Sequence, residues 1–264
     1  MTIEKIPGRA YVAHIGTKNK SFIAVSDILK KEGIKNNKFM LALFDESIAE
    51  LDPFDEANLT ELEKTKILIE IIKNPWYFIR EVVRVPVSGG TVLYELNLGN
   101  LFLTWCMISN LNCYLLLPRQ NYKTVSACVF YLWIFGFGTK NTQITFFNKA
   151  LDDAKNNLNR VKDLRDELPK WISIGILTDP VNDRNNIDYI YSAHRKNTIN
   201  PKPPGKDPVH ASKLGRGNTT PLVWYDEIAF TGYIRQIYMA AVPAQSKAKL
   251  SAIEMGVPYG TVTF

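Results

Sequence analysis

From Cys113 onward, short runs that are apolar at every position alternate with stretches of helical period. This alternation restricts the fold more than any other feature. Cys113–Leu117 (CYLLL) and Leu222–Tyr225 (LVWY) are too short for helices and are bounded by polar residues, as strands buried on both faces are. Gln143–Phe147 is a third candidate strand, Ile187–Ala193 a fourth, and Thr261–Phe264 reads as the start of another. Between them lie helical patterns. Leu101–Ile108 is one, and Thr124–Phe135, apolar on all sides, predicts a helix enclosed by its neighbours. Leu151, Ala154, Leu158, Val161, Leu164 and Leu168 recur at steps of three and four, an amphipathic helix ended near Pro169. Tyr233–Met255 is a further helix, with a break expected at Pro243. Such a succession builds an α/β fold, a mostly parallel sheet flanked by helices. Asn200–Pro208 (NPKPPGKDP) is expected to be a proline-rich loop.

Residues 1–90 read differently, as a mostly helical N-terminal region ahead of a core at 91–264. Phe39, Leu43 and Ile48 line a short helix within Asn37–Leu51. Thr60, with Glu63 three residues later, fits a capping box opening a helix through Ile72. Pro75 ends that helix, Trp76–Val83 adds a turn or two, and Pro86–Gly90 is a turn or loop.

Composition removes several function classes. With 46% hydrophobic and 22% charged residues over 264 positions, the chain buries a sizeable core without staples. Its three cysteines, Cys106, Cys113 and Cys128, sit in apolar surroundings without metal-ligand spacing and are expected to be buried thiols. Three scattered histidines argue against a histidine-rich metal site. The N-terminus lacks the apolar stretch of a signal peptide, and the most hydrophobic run is too short to span a bilayer, so a soluble cytoplasmic protein is expected. A net charge of +6 is compatible with a polyanionic partner.

Two motifs carry chemistry. Leu117–Thr124 (LPRQNYKT) lies between an apolar strand pattern and a helix pattern, where a phosphate-binding loop belongs. Such a loop needs backbone N–H groups converging on an anion at a helix start, a lysine for the β/γ oxygens and a Ser/Thr hydroxyl for Mg²⁺. Lys123 and Thr124 supply the last two, but the usual glycine before the lysine is Tyr122. The other reading of these letters is a chance Lys-Thr helix start. The second motif, Leu222–Glu227 (LVWYDE), puts Asp226 and Glu227 at the C-terminal edge of a parallel sheet, where such sheets bind ligands. Asp226 suits Mg²⁺ and Glu227 suits orienting an attacking water. Alternatively, the two acids cap the next helix.

Together, Pro118-Arg119-Gln120-Asn121-Tyr122-Lys123-Thr124 and Val223-Trp224-Tyr225-Asp226-Glu227-Ile228-Ala229-Phe230 resemble the N-terminal ATPase domain of the large terminase subunit of tailed bacteriophages. Asn74–Phe78, Arg216-Gly217 and Leu168–Trp171 add to the likeness, which covers roughly residues 70 to 264. The resemblance implies a P-loop NTPase of the additional-strand class with a helical N-terminal extension. It implies an ATP- and Mg²⁺-dependent hydrolase that drives double-stranded DNA into a procapsid in the host cell cytoplasm. Its partners would be DNA, the portal protein and the small terminase subunit, in a homo-oligomeric ring on the portal. Carried over by residue, Pro118, Arg119, Gln120, Asn121, Tyr122, Lys123 and Thr124 cradle the phosphates. Thr124 and Asp226 hold the metal, and Glu227 is the catalytic carboxylate. Arg119 is a γ-phosphate-sensing arginine in cis.

The family's adenine-reading glutamine has no direct counterpart; Asn100 stands nearest by spacing, with Asn97 also in range. The coupling motif is expected just beyond Phe264, and the nuclease domain is expected to be missing. Tyr122 keeps open a degenerate, non-catalytic docking module, and another P-loop translocase of helicase type remains a further alternative. The basic cluster Arg195, Lys196, Lys202, Lys206, Lys213 and Arg216 is either a DNA-phosphate contact or a solvated loop.

Overall fold

A computed structural model describes residues 3–6, 9–13, 39–40, 43–94, 98–114, 122–216 and 220–264. In chain order, β1 (Ile3–Ile6) pairs antiparallel with β2 (Arg9–Ala13), and β2 pairs parallel with β3 (Phe39–Met40). Helix α1 (Glu61–Lys73) opens on the capping box foreseen at Thr60 and Glu63. A helical turn, Pro75–Tyr77, runs into a π-helical turn, Phe78–Val82. A hairpin of β4 (Arg84–Val87) and β5 (Gly90–Leu93) follows, then α2 (Leu98–Ile108).

The remaining elements alternate as the sequence pattern requires. They are β6 (Cys113–Tyr114), α3 (Lys123–Trp133), β7 (Gln143–Phe147), α4 (Leu151–Asp166), β8 (Arg184–Asn185), β9 (Ile190–Ser192), β10 (Asn197–Lys202), α5 (Pro208–Arg216), β11 (Leu222–Tyr225), α6 (Ile234–Glu254) and β12 (Gly260–Thr263). They form a seven-stranded sheet in the order β6-β12-β11-β7-β10-β9-β8. The first five strands are parallel; β9 and β8 extend the far edge antiparallel. The last strand, β12, thus lies between β6, which leads into the Lys-Thr sequence, and β11, which ends in the acids. That insertion separates the two motif-bearing strands by one strand.

Register decides which residues face which helices. Trp224 lies beside Phe146 on β7 and Val262 on β12. Its fully buried ring stacks on Tyr131 of α3 with centroids 5.8 Å apart. Leu158, Val161 and Leu164 of α4 join the same core, as do Ile67 and Ile71 of α1. The Trp133 indole N–H donates to the Ile71 carbonyl at 2.8 Å, tying α1 to α3. On the opposite face, Val223, Tyr225 and Phe147 meet Ala211 of α5 and Ile237 of α6. Burying a side chain of this size stabilises by about 1.5–3 kcal/mol, so both sheet faces are strongly specified.

Several expectations need correction. Phe39–Met40 is extended and only Glu46–Ile48 makes a 3-10 turn. The Phe44 and Asp45 N–H groups are taken by the buried carboxylate of Glu70 at 3.0–3.2 Å, so they are unavailable to a helix. The turn expected within Pro86–Gly90 is present as the tip of a hairpin, with Gly89 at φ 88°, and its flanks are strands. The N-terminal region therefore carries strands as well as α1.

Part of the expected proline-rich loop is strand β10. The Thr198 N–H points to Thr142 on the β7 side at 2.9 Å, and N–H directions alternate along a strand. Pro201 therefore turns its missing donor to the other side, where pairing with β9 has ended at Ile199, as prolines in sheets require. Finally, α6 runs unbroken through Pro243. That proline and Met239, whose carbonyl loses its partner, are both exposed, so water can satisfy the group. No helix among the described residues is long and apolar enough to cross a membrane.

Candidate phosphate-binding site

Lys123 and Thr124 form the first turn of α3. Pro118, Arg119, Gln120 and Asn121, together with Asn97, lie outside the described residues. Tyr122 caps the helix at φ 53°, ψ 17°, the left-handed conformation that glycine adopts freely and that costs another residue about 1–2 kcal/mol. Its side chain is 56% exposed.

The tyrosine is held from beneath. Its carbonyl accepts the Ser126 N–H at 2.8 Å and the Ser126 hydroxyl at 2.7 Å. Ser126 has one hydroxyl proton, so the Tyr94 hydroxyl must donate to Ser126 Oγ across 2.6 Å. Tyr94 is buried, which pushes its phenol well above the usual range and keeps it a neutral donor. Asn100 is also hydrogen-bonded to Tyr94 and is 1% exposed. Asn100, the nearest residue by spacing to an adenine reader, is thus buried beside Tyr94, behind the first turn of α3.

The acids lie across from this turn. The Asp226 N–H donates to the Phe147 carbonyl at 2.9 Å, Phe264 N–H to Tyr225 O at 3.0 Å and Ile228 N–H to Phe264 O at 3.0 Å. Both neighbouring strands therefore fix the turn, in which Glu227 sits left-handed at φ 51°. Oδ2 of Asp226 accepts from Asn157 Nδ2 at 2.9 Å, and from Thr124 Oγ1 and Asn148 Nδ2 at 3.4 Å each. Burial, aided by the nearby Glu227 charge, raises the Asp226 carboxyl above the ordinary carboxylate range; hydrogen bonds from Asn157 and Thr124 and the Lys123 charge oppose the shift. Glu227 is partly exposed and pairs with Lys149 at 2.7 Å; Lys149 also reaches Asp153 at 4.0 Å. An ion pair this accessible is worth about 0–1 kcal/mol. The Lys123 ammonium lies 5.9 Å from the Phe264 ring centroid.

The donor set is all oxygen, a hydroxyl and carboxylates, which suits Mg²⁺ and not a soft metal. Among the described residues no three His, Cys, Asp or Glu side chains gather as a cage. A Mg²⁺ site takes one or two protein oxygens, which Thr124 and Asp226 could supply, and is completed by phosphate and water. The fold unites Lys123, Thr124, Asp226 and Glu227 at one sheet edge. It adds Asn148, Lys149 and Asn157, which the sequence reading missed. Asn148 and Lys149 carried a signal, since they follow directly on strand Gln143–Phe147 and so end at the same edge. Asn157 carried a weaker one, as a polar residue three positions after Ala154 in the apolar stripe of α4.

The basic cluster is not one patch. Arg195 and Lys196 precede β10 and Lys202 ends it, which separates them by roughly 20 Å of strand. Lys213 and Arg216 belong to α5.

No family model matches the sequence, and no curated protein matches it either. Among solved structures, the large terminase ATPase domain of Thermus phage P74-26 is similar to the chain at a TM-score of 0.36 and 16% identity; the match covers 55% of this chain and 56% of that one. An arginine mutant of the same domain matches at a TM-score of 0.37 and 15% identity with the same coverage. The matched segment spans about half the length of these neighbours.

Proposed function

We propose that the chain binds and hydrolyses Mg-ATP as the motor domain of a large terminase subunit, packaging double-stranded DNA into a procapsid with portal protein and small subunit as partners. One observation carries the nucleotide part of this reading. Thr124 and Asp226, 102 residues apart in sequence, meet at 3.4 Å, with Lys123 and Glu227 adjoining them, at the C-terminal edge of a parallel sheet. A chance Lys-Thr helix start or a pair of capping acids has no reason to produce that meeting.

In this reading Lys123 neutralises the β/γ phosphates, and the N–H groups opening α3 donate to them. Thr124 and Asp226 would hold Mg²⁺, which would supply positive charge against the phosphates. Glu227 orients the attacking water, and Lys149 holds that carboxylate in place through a pair weak enough to open. Arg119 stabilises the γ-phosphate in cis. The net charge of +6 favours a DNA partner through phosphate neutralisation.

Calorimetric titration of Mg-ATP into the chain and into Lys123→Ala tests the reading. Saturable binding that the substitution abolishes is expected, and Glu227→Gln should then bind without turnover. A folded chain that takes up no ATP at millimolar concentration would refute it and leave a docking module.

A further inference from the structure

The Asp226 carboxylate is held mainly by a side chain outside both motifs. Among the described residues it has three donors, of which Asn157 alone lies at an ordinary hydrogen-bond distance, 2.9 Å against 3.4 Å for Thr124 and Asn148. We infer that Asn157 is a positioning residue that fixes the Asp226 carboxylate for a divalent cation; the inference rests on the phosphate-site reading above.

All three use Oδ2, so no donor among the described residues competes with a cation or its water for Oδ1. The Thr124 hydroxyl would serve as a ligand through an oxygen lone pair while its proton still points to Asp226. The Asn157 amide, which would touch no cation, would have the carboxylate as its sole task. The amide is also oriented in advance. Arg160 Nη1 donates to Asn157 Oδ1 at 3.0 Å, and a guanidinium has no acceptor. Oδ1 must therefore face Arg160, and the two-proton end must face Asp226. The Asn157–Asp226 contact is itself buried, with Asn157 2% and Asp226 5% exposed, while Arg160 reaches it from the exposed side of α4.

Its cost also speaks for it. Asn157 occupies the buried face of α4 with Ala154, Leu158 and Val161, where leucine would pack better and favour the helix by several tenths of a kcal/mol. An arrangement that fixes a metal-supporting carboxylate from behind is worth 10–100-fold in metal affinity where such partners are removed.

The test compares the chain with Asn157→Leu and Arg160→Ala. ADP is titrated calorimetrically in Mg²⁺ and in EDTA, and bound Mn²⁺ is followed by electron paramagnetic resonance. Asn157→Leu should keep its affinity in EDTA, lose about tenfold or more of the enhancement given by Mg²⁺, and broaden the Mn²⁺ signal as the carboxylate becomes mobile. Arg160→Ala, which frees the amide to flip, should lose less in the same direction. A Mg²⁺ enhancement and Mn²⁺ signal unchanged from the parent in folded Asn157→Leu would overturn the inference. If that variant does not fold, Arg160→Ala decides on the same criterion. A parent chain that binds no ADP under either condition overturns the phosphate-site reading and this inference with it.

Discussion

Replacing Tyr122 separates backbone geometry from side-chain chemistry in the phosphate loop. At φ 53° a residue with a Cβ is strained by about 1–2 kcal/mol, while glycine is not. Tyr122→Gly relieves that strain but adds unfolded-chain entropy of about 0.5–1 kcal/mol. Both Tyr122→Gly and Tyr122→Ala lose the same ring, which is more than half exposed, so its packing cancels in the comparison. Alanine keeps the strain. Tyr122→Gly is therefore expected to be more stable than Tyr122→Ala by about 1 kcal/mol, read as a difference in urea midpoint at constant slope. In a thermal scan this is roughly 2–4 °C for a domain of about 150–250 residues. Were Tyr122 an ordinary right-handed helical residue, the order would invert, because glycine in a helix is about 1 kcal/mol worse than alanine. An alanine variant as stable as the glycine variant, or more so, would refute a left-handed tyrosine at this position.

Other consequences are open to the same assays. Tyr94→Phe removes the donor to buried Ser126 Oγ and should lower stability by about 1–3 kcal/mol by urea unfolding. Gly215→Ala would drive a Cβ into the Ile237 carbonyl and to 2.7 Å from the Ala240 Cβ, parting α5 from α6; a loss of about 1–3 kcal/mol is expected in the same measurement. Asp226, with its carboxyl raised by burial, holds its proton in the fold at a pH where the unfolded chain has lost it. Its contribution to stability thus falls as pH climbs from the ordinary carboxylate pKa through the raised one, and stays low at neutrality. Asp226→Asn keeps an acceptor for Asn157 and should raise the nucleotide-free chain's neutral-pH melting temperature, flattening the slope of stability with pH across that window.

Alternating continuously apolar runs with helical period was enough to determine the α/β class, and local chemistry was enough for several elements. Thr60 and Glu63 close their capping box within one turn, and Gln143–Phe147 and Leu222–Tyr225 are strands with the bounds their apolar runs gave. The left-handed backbone at Tyr122 could not be read, because its carbonyl is held by Ser126, which is in turn fixed by Tyr94 from far away in sequence. Strand β10 was hidden by its proline, which is tolerated because β9 stops short of it. Phe39–Met40 was drawn into extended pairing by β2, against a weak helical pattern.

Residue types and order along the chain singled out Lys123, Thr124, Asp226 and Glu227 as candidates, since each stands at a strand end or helix start. Which groups surround them was decided by tertiary structure alone. Asn157 meets Asp226 across 69 residues only because α4 packs beside α3, and Lys149 meets Glu227 only because β7 and β11 are neighbours in register. Sequence periodicity fixes which face of an element is buried; it carries no information on which other element that face will touch.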